Sequence, residues 1–173
     1  MLRFLAKTWG FGELEELSLQ NTPQTIDHLL QNQSTPNLSG ELQILESVNI
    51  HRASLKLHTL EPVTQLSTIA LRHNQWMQKY NTASHDVWEQ RHDQTISLGF
   101  RSFNENLAGG ECYTQEISQL IASCVPGWIA SPGHKRTLEK PEFTHTGIGL
   151  LIVPHQSKAN RIIFFVTQVF AGI

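Results

Sequence analysis

Two long apolar runs near the C-terminus constrain the fold more than any other feature of this sequence. The first covers 147–154, the second covers 161–170, and a polar stretch at 156–160 separates them. Branched and aromatic residues dominate both runs, which is typical of β-strands. Because neither run alternates between apolar and polar residues, we expect both faces of the resulting sheet to be covered.

The residues before these strands carry helical periodicity instead. Apolar residues recur at spacings of three and four in 41–55 and in 63–80, which predicts two helices. A shorter helix is expected from Ser84 or Asp86 to Ile96. Because helices precede the strands without alternating with them, the predicted class is α+β. The expected architecture is a three-layer α–β–α sandwich with a small antiparallel sheet between helices.

The central region is expected to hold an extended segment and two further helices. Residues 103–108 predict a short extended segment. Thr114 is predicted to cap a helix that ends near Ser123, because a proline and a glycine interrupt 125–128. Ser131, which a proline follows, predicts a new helix with a hydroxyl N-cap and proline at its first position.

Composition and charge limit the class of protein. The chain has 173 residues, a length typical of one domain, and a net charge of −2, so it offers no basic face for nucleic acid. No apolar run approaches the ~18 residues of a membrane span, and no apolar core of a signal peptide is visible. Residues 1–39 are interpreted as an N-terminal polar arm or linker, and 40–173 as the folded domain.

The two cysteines, Cys112 and Cys124, are not expected to form a disulfide. A helix between them would hold them roughly 18 Å apart at ~1.5 Å per residue. A disulfide needs Cα atoms within about 7 Å of each other. Two buried or unreactive thiols are therefore predicted.

Three polar side chains with distinctive neighbours are the candidate site residues. His85 follows a serine, Glu105 lies between Asn104 and Asn106, and His134 lies just inside a predicted helix start, where the helix dipole would lower its pKa. Two imidazoles and a carboxylate can ligate a divalent metal, most naturally zinc. They can also act as a general base and its orienting acid. In the structural alternative, Glu105 caps amides and the histidines fill a hydrogen-bonded seam.

The neighbouring residues are given structural roles. Asn104 and Asn106 are expected to fix the loop backbone beside Glu105. Gly109–Gly110 allows a tight turn or a close approach by a ligand, and the turn is the favoured interpretation. His73 lies on an apolar helical stripe, which favours a hydrogen-bonded core histidine over a ligand. No nucleophile is evident.

Short motifs along the chain occur in a recognisable order. In sequence they are Asn49 to Arg52, Leu60 to Pro62, Ala70 to Met77, Ala83 to His85, Asn104 to Ala108, Trp128 to Arg136, Phe143 to Gly149 and Val166 to Phe170. Together they resemble the CAP superfamily (cysteine-rich secretory, antigen 5 and pathogenesis-related-one proteins), specifically its short bacterial branch. The resemblance covers about 42–172 and implies a CAP-like domain over 40–173.

The resemblance is incomplete at the site. Animal and plant members carry two histidines and two acids, and His85 and Glu105 correspond to one of each. Ser131 and Phe165 stand where the second acid and the second histidine would be. The bacterial branch places its histidine at the position of His134. Activity is therefore not carried over from the animal proteins.

The resemblance implies a secreted or envelope-associated binding module, extracellular or periplasmic. Its His/Glu cleft is expected to bind a divalent metal such as zinc, or a small apolar, lipid-like or cell-envelope ligand. The alternative is a metal-assisted, peptidase-like hydrolase in which His85, Glu105 and His134 are catalytic. Whether the chain is an enzyme, and its oligomeric state, are left open at this point.

Overall fold

The computed structural model describes residues 40–173, and the predicted arm at 1–39 lies outside this range. The helices are α1 (Gly40–Ser54), α2 (Thr64–Tyr80), α3 (Trp88–Ser97), α4 (Ile117–Ala130) and α5 (Pro132–Leu138). The strands are β1 (Glu61–Pro62), β2 (Ser102–Tyr113), β3 (His145–Pro154) and β4 (Arg161–Gly172). The predicted α+β class is confirmed, and the helices near 41–55 and 63–80 appear as α1 and α2.

The four strands form one sheet in the order β1-β3-β4-β2. Strands β3 and β4 are the two predicted apolar runs, and they pair antiparallel. Strand β2 pairs antiparallel with β4 along its whole length, and the two-residue β1 pairs parallel with β3. Within the described residues, β2 is therefore a long edge strand of the sheet.

Alternating side chains of the sheet pack against two separate helical layers, one on each face. On one face, α1 and α4 contribute Ile44, Val48, Leu120 and Trp128 to a cluster with sheet residues such as Val166. On the other face, α2 contributes Leu66 and Ile69 to a cluster with Phe103 and Val169. Each such fully buried side chain stabilises the fold by roughly 1.5–3 kcal/mol. The predicted α–β–α sandwich follows from these two layers.

Strand β2 is longer than the predicted extended segment at 103–108, and Gly109–Gly110 lies within it. The predicted turn at these glycines is therefore wrong. The physical reason is the pairing with β4, which places Gly109 opposite Phe165. A Cβ atom at Gly109 would lie 3.1 Å from the Cβ of Ala83 and 3.2 Å from Phe165 Cδ1. The glycine thus allows a close approach between the strand and its neighbours.

The predictions for the fourth and fifth helices also need correction. Thr114 begins a short 3₁₀ turn, and α4 continues through Pro126 to Ala130 instead of ending near Ser123. The buried face of α4 outweighs the local cost of the proline, because that face packs deep in the core. Ser131 is the N-cap of α5, but its hydroxyl makes no capping hydrogen bond, so the predicted hydroxyl cap is wrong.

Two side chains of α1 form hydrogen bonds with loops that follow the helix in sequence. Asn49 donates to the carbonyl of Leu60 and accepts from its backbone N–H. Arg52 is fully buried and donates only to backbone carbonyl groups, those of His58, Leu138, Lys140 and Phe143. Burial lowers the pKa of Arg52. The loop that follows α5 is thereby held against α1.

Cys112 lies on β2 and Cys124 on α4, and both are buried free thiols. Burial raises the pKa of both, and that of Cys124 to about 12. Neither thiol is therefore primed to act as a nucleophile. Between residues 40 and 173, no helix has the length and apolar character needed to cross a membrane.

Candidate functional site

Glu105 lies on β2 with its side chain fully buried beneath α3. The guanidinium of Arg91 grips both carboxylate oxygens, since Nε donates to Oε2 at 2.6 Å and Nη2 donates to Oε1 at 2.5 Å. His85 contacts Oε1 through Nδ1 at 2.8 Å. In place of the structural alternative, in which Glu105 caps neighbouring amides, its carboxylate belongs to this Arg–Glu–His cluster.

Arg91 also organises the turn that carries His85. Its remaining N–H groups donate to the backbone carbonyls of Asp86, Val87 and His85 at 2.8, 3.2 and 3.3 Å. The side chain is buried, and every part of the planar fork has an acceptor. Sequence reasoning missed Arg91. A buried carboxylate requires a cationic partner, but the sequence does not indicate which side chain supplies it.

The turn before α3 contains a backbone conformation that a valine rarely adopts. Val87 has φ 54° and ψ 29°, in the left-handed region. For a β-branched residue this conformation is strained, and it persists only where the surroundings impose it. Here α3 begins at Trp88 rather than at the predicted Ser84 or Asp86, and the bonds from Arg91 hold the preceding turn in place.

Glu105 is held in its ionised form. Burial acts to raise the pKa of its carboxyl group, but the hydrogen bonds from Arg91 and His85, together with the Arg91 charge, outweigh burial and lower the pKa. Because an ionised carboxylate only accepts, Nδ1 of His85 must donate to it. In the neutral imidazole, Nε2 then carries the free lone pair. The His85 side chain is 53% exposed, so solvent reaches this ring.

His134 lies in the first turn of α5, across the edge of the sheet from Glu105. Its backbone carbonyl accepts a hydrogen bond from Asn106 Nδ2 at 3.1 Å. Burial, together with the nearby His85, lowers the pKa of His134, so its imidazole is neutral at pH 7. The direction matches the one expected for a helix start, but burial rather than the helix dipole is the main cause.

All three predicted residues line one open concavity of about 240 Å³ at the edge of β2. Its lining residues are His85, Asn104, Glu105, Asn106, Ser131, Gly133, His134 and Thr137. Phe165 is instead buried in an apolar cluster with Met77 and Leu107. The structure thus brings His85, Glu105 and His134 together, while their role as catalytic or metal-binding residues stays a prediction.

The asparagines beside Glu105 lie on a strand and not in a loop. Asn104 Oδ1 accepts a hydrogen bond from the backbone N–H of Glu105 at 2.9 Å. Asn106 bonds the first turn of α5. The expectation that both fix backbone near Glu105 therefore holds for Asn104, while Asn106 reaches a different element.

His73 lies behind the Arg–Glu–His cluster. It is 3% exposed, and its Nε2 donates to the carbonyl of Ser84 at 2.9 Å. The pKa of His73 is lowered to about 4, mainly by burial and secondarily by the charge of Arg91. This agrees with the predicted core role, and the bond to Ser84 adds support to the turn that carries His85.

The ring nitrogens of the two histidines are better suited to ligate a metal ion than the carboxylate oxygens of Glu105. Both oxygens of Glu105 accept from Arg91, whose positive charge lies against the carboxylate. His85 Nε2 and the His134 ring carry the available lone pairs. Among residues 40–173, no group of three His, Cys, Asp or Glu side chains forms a ready metal site. An ion here would need water or a ligand to complete its coordination.

Two curated relatives from Bacillus subtilis are similar to this chain. The membrane protein YlbC is 28% identical over 119 residues, which is 65% of this chain and 32% of that protein. The protein YkwD is 26% identical over 149 residues, which is 83% of this chain and 55% of that protein. Both are described as uncharacterised. The chain thus spans about a third and about half of the lengths of these relatives.

Several solved structures share the fold. An outer surface protein of Borrelia burgdorferi aligns with a TM-score of 0.57 at 19% identity, over 80% of this chain and 96% of that one. An extracellular Bacillus anthracis protein with an SCP domain aligns at 0.57 and 25%, over 81% and 45%. A Staphylococcus aureus cysteine-rich secretory protein aligns at 0.54 and 14%, over 82% and 41%. The family profile of the cysteine-rich secretory proteins matches residues 45–170, so the chain belongs to the CAP family.

Proposed function

We propose that this CAP domain is a secreted or envelope-associated binding module that holds a divalent metal at His85 and His134. One observation carries the proposal: Arg91 and Glu105 fix the His85 ring through Nδ1, which leaves Nε2 as the free nitrogen of a residue that lines the concavity. A histidine whose other nitrogen donates to a carboxylate is the usual arrangement at metal centres. Neutral imidazole, which burial favours at His134, is the ligating form.

The roles of the three residues differ in this proposal. His85 and His134 are the ligands, and Glu105 orients His85 without contacting the ion. Imidazole ligands suit zinc, copper and nickel better than magnesium or calcium. When bound, the ion would act as a Lewis acid toward water or toward a polar group of a small or cell-envelope ligand. The concavity of about 240 Å³ leaves room for such a group beside the ion.

The experiment is a zinc titration of chelator-treated protein by calorimetry, with variants at the two imidazoles. We expect stoichiometric binding to the unmodified protein, and a loss of at least about tenfold in affinity in His85→Ala and in His134→Ala. His58→Ala is the matched control, since His58 is exposed and outside the concavity. Equal affinity in all four proteins, or no binding at all, would contradict the proposal.

An extracellular or periplasmic location is the second part of the proposal. Its support is that solved relatives are described as extracellular or outer-surface proteins. Fractionation of cells that express the full-length native protein tests it directly. Recovery in the cytoplasmic fraction alone would contradict this part.

A metal-assisted hydrolase is the alternative, and one arrangement favours it. His134, whose imidazole is neutral, and Ser131, whose hydroxyl makes no capping hydrogen bond, line the same concavity. A neutral imidazole can accept a proton from an attacking water, and an ion beside it would polarise the bond to be cleaved. Zinc-dependent turnover of peptide or cell-wall fragments that His134→Ala abolishes would favour the enzyme. Zinc binding without turnover would favour the binding module.

A further inference from the structure

Three of the sequence motifs meet as a polar row behind the concavity. Asn106 on β2, Gln168 on β4 and Thr146 on β3 are all buried, with exposed fractions of 0, 0 and 1%. Asn106 and Gln168 are directly opposite each other in the register of the two strands. Residues paired in this way point to the same face of a sheet, and their Cβ atoms lie about 4.5–5.5 Å apart.

The amide of Asn106 can face only one way. Its Nδ2 donates to the backbone carbonyl of His134, and the reverse orientation would set two acceptor oxygens against each other. Its Oδ1 therefore points elsewhere. This oxygen is buried and has no hydrogen-bond partner among residues 40–173.

The amide of Gln168 is fixed in the same manner. Its Nε2 donates to Thr146 Oγ1 at 3.1 Å, and the hydroxyl of Thr146 donates to the carbonyl of Val169 at 2.7 Å. Because the single hydroxyl proton of Thr146 is committed, Gln168 must supply the donor in their contact. Its Oε1 is consequently a second buried acceptor that has no partner in the described part of the chain.

We propose that one water molecule binds between Asn106 Oδ1 and Gln168 Oε1, and that this completed row positions His134 in the concavity. A water molecule supplies two donors, which matches the two buried acceptors. Buried polar groups that stay unpaired are strongly unfavourable, so the pairing is expected to be occupied in the folded protein. The row then runs from the Thr146 side chain on β3 through Gln168 on β4 and Asn106 on β2 to the His134 carbonyl on α5.

The consequence is that two successive residues of β2 hold the two histidines from opposite faces of the sheet. Glu105 orients the ring of His85, and Asn106 holds the backbone of His134. The His85 ring and the His134 backbone are thus both held by neighbouring positions of a single strand. Asn106 is a positioning residue that acts through His134. As far as metal affinity is concerned, this inference rests on the proposed function.

A metal-free crystal structure at atomic resolution tests the water directly. We expect a fully occupied water within hydrogen-bond distance of both amide oxygens. Gln168→Met removes one of the two acceptors, and we expect the water to be lost while the Asn106 contact to His134 persists. Direct pairing of the two amides in the unmodified protein, with no water between them, would overturn the water site.

The positioning role is tested by Asn106→Ala with Asn49→Ala as the matched control. Asn49 is also an asparagine that holds backbone groups, but it bonds Leu60 and lies outside the concavity. We expect zinc affinity to fall about 10- to 100-fold in Asn106→Ala, the range typical of residues that orient ligands. The affinity of Asn49→Ala should match that of the unmodified protein at temperatures where both variants are folded.

A separate readout keeps this inference distinct from the proposed function. In metal-free crystals, we expect the His134 ring to shift by more than ~0.5 Å, the tolerance of a preorganised site, in Asn106→Ala and not in Asn49→Ala. If the unmodified protein binds no zinc, the proposed function fails while this measurement still decides the positioning role. An unmoved His134 in Asn106→Ala, should that variant fold, would overturn the inference. Should it not fold, the shorter polar variant Asn106→Ser, whose hydroxyl does not reach the His134 carbonyl, decides, and an unmoved His134 ring in its metal-free crystals would overturn the inference.

Discussion

The two glutamates of β2 have similar partners and very different surroundings. Glu105 meets Arg91 and His85, and Glu111 meets Arg161 and a histidine, His155, at the other end of the strand. The side chain of Glu105 is fully buried, while that of Glu111 is one-tenth exposed. At both ends burial acts to raise the carboxyl pKa, and hydrogen bonds and positive charges outweigh it.

The partners explain why only one of these clusters forms a candidate site. Around Glu111, the amino group of Lys158 lies at 3.0 Å and the Lys158 side chain is 52% exposed, so water screens the pair. Around Glu105, the cation is buried and the histidine is the exposed member. The ion pair of Arg91 and Glu105 therefore lies inside the protein, and the His85 imidazole faces solvent. The same residue types bind β2 to the turn between β3 and β4 at one end of the strand, and expose an imidazole at the other end.

The largest expected effect is at Arg91. In Arg91→Met, the buried Glu105 carboxylate loses its cation and the 85–87 turn loses three donors. We expect the free energy of unfolding to fall by about 3–5 kcal/mol, as for other buried ion pairs that lose one member. Urea denaturation at pH 7 measures it. A loss below about 1 kcal/mol would show that the two ends of β2 are equivalent.

Acid should weaken the Glu105 end before the Glu111 end. The pKa of His73 is lowered to about 4 in the folded protein, from 6.5 when unfolded. The unfolded chain therefore binds more protons between these values, and stability falls as pH drops from 6.5 toward 4. We expect a loss on the order of 3 kcal/mol from this group. The lowered pKa of Glu105 adds a further loss below its unfolded value.

Urea denaturation at a series of pH values, on the unmodified protein and on His73→Gln, isolates the histidine. The glutamine keeps a donor for the Ser84 carbonyl but does not titrate. The curve for this variant should be flatter between pH 6.5 and pH 4, while the fall at lower pH persists. Parallel curves would show that His73 does not link folding to pH.

A smaller effect of opposite sign is expected at Val87. Glycine removes the left-handed strain of about 1–2 kcal/mol but adds about 0.5–1 kcal/mol of chain entropy. Val87→Gly should therefore raise the free energy of unfolding by roughly 0.5–1 kcal/mol. Asn81→Gly is the control, because Asn81 also has positive φ but tolerates it. Destabilisation by Val87→Gly beyond that of the control would mean that the valine side chain stabilises the turn.

The smallest effect is expected at the exposed cluster. Lys158→Met removes an exposed partner of Glu111, and the free energy of unfolding should change by less than about 1 kcal/mol. Raising the salt concentration should shrink the difference between Lys158→Met and the unmodified protein, and should leave the Arg91→Met difference nearly unchanged. Equal salt sensitivity at both positions would contradict the contrast in burial.

The sequence predicted the elements that its own periodicity specifies. Strands β3 and β4 and helices α1 and α2 carry that signal locally, so their positions could be inferred. The full length of β2 depends on pairing with β4, and the passage of α4 through Pro126 depends on core packing. Neither is a local property of the chain.

The candidate site was predictable to a similar extent. The sequence singled out His85, Glu105 and His134, which line one concavity, while what they do there stays a prediction. Arg91 and the row behind His134 were not foreseen, because a buried partner is identified by three-dimensional contact and has no spacing signature. The division of labour between Glu105 and Asn106 likewise depends on which face of β2 each side chain occupies.

The contacts of Asn104 and Trp128 with β2 have a consequence for association between molecules. A long edge strand normally exposes backbone groups on which another chain can add a strand, a route to aggregation. Asn104 accepts from the Glu105 N–H, and the Trp128 indole donates to the Leu107 carbonyl at 2.9 Å. Both backbone groups are already bonded to side chains of the same chain. These two positions in the middle of β2 are thereby less available for strand addition.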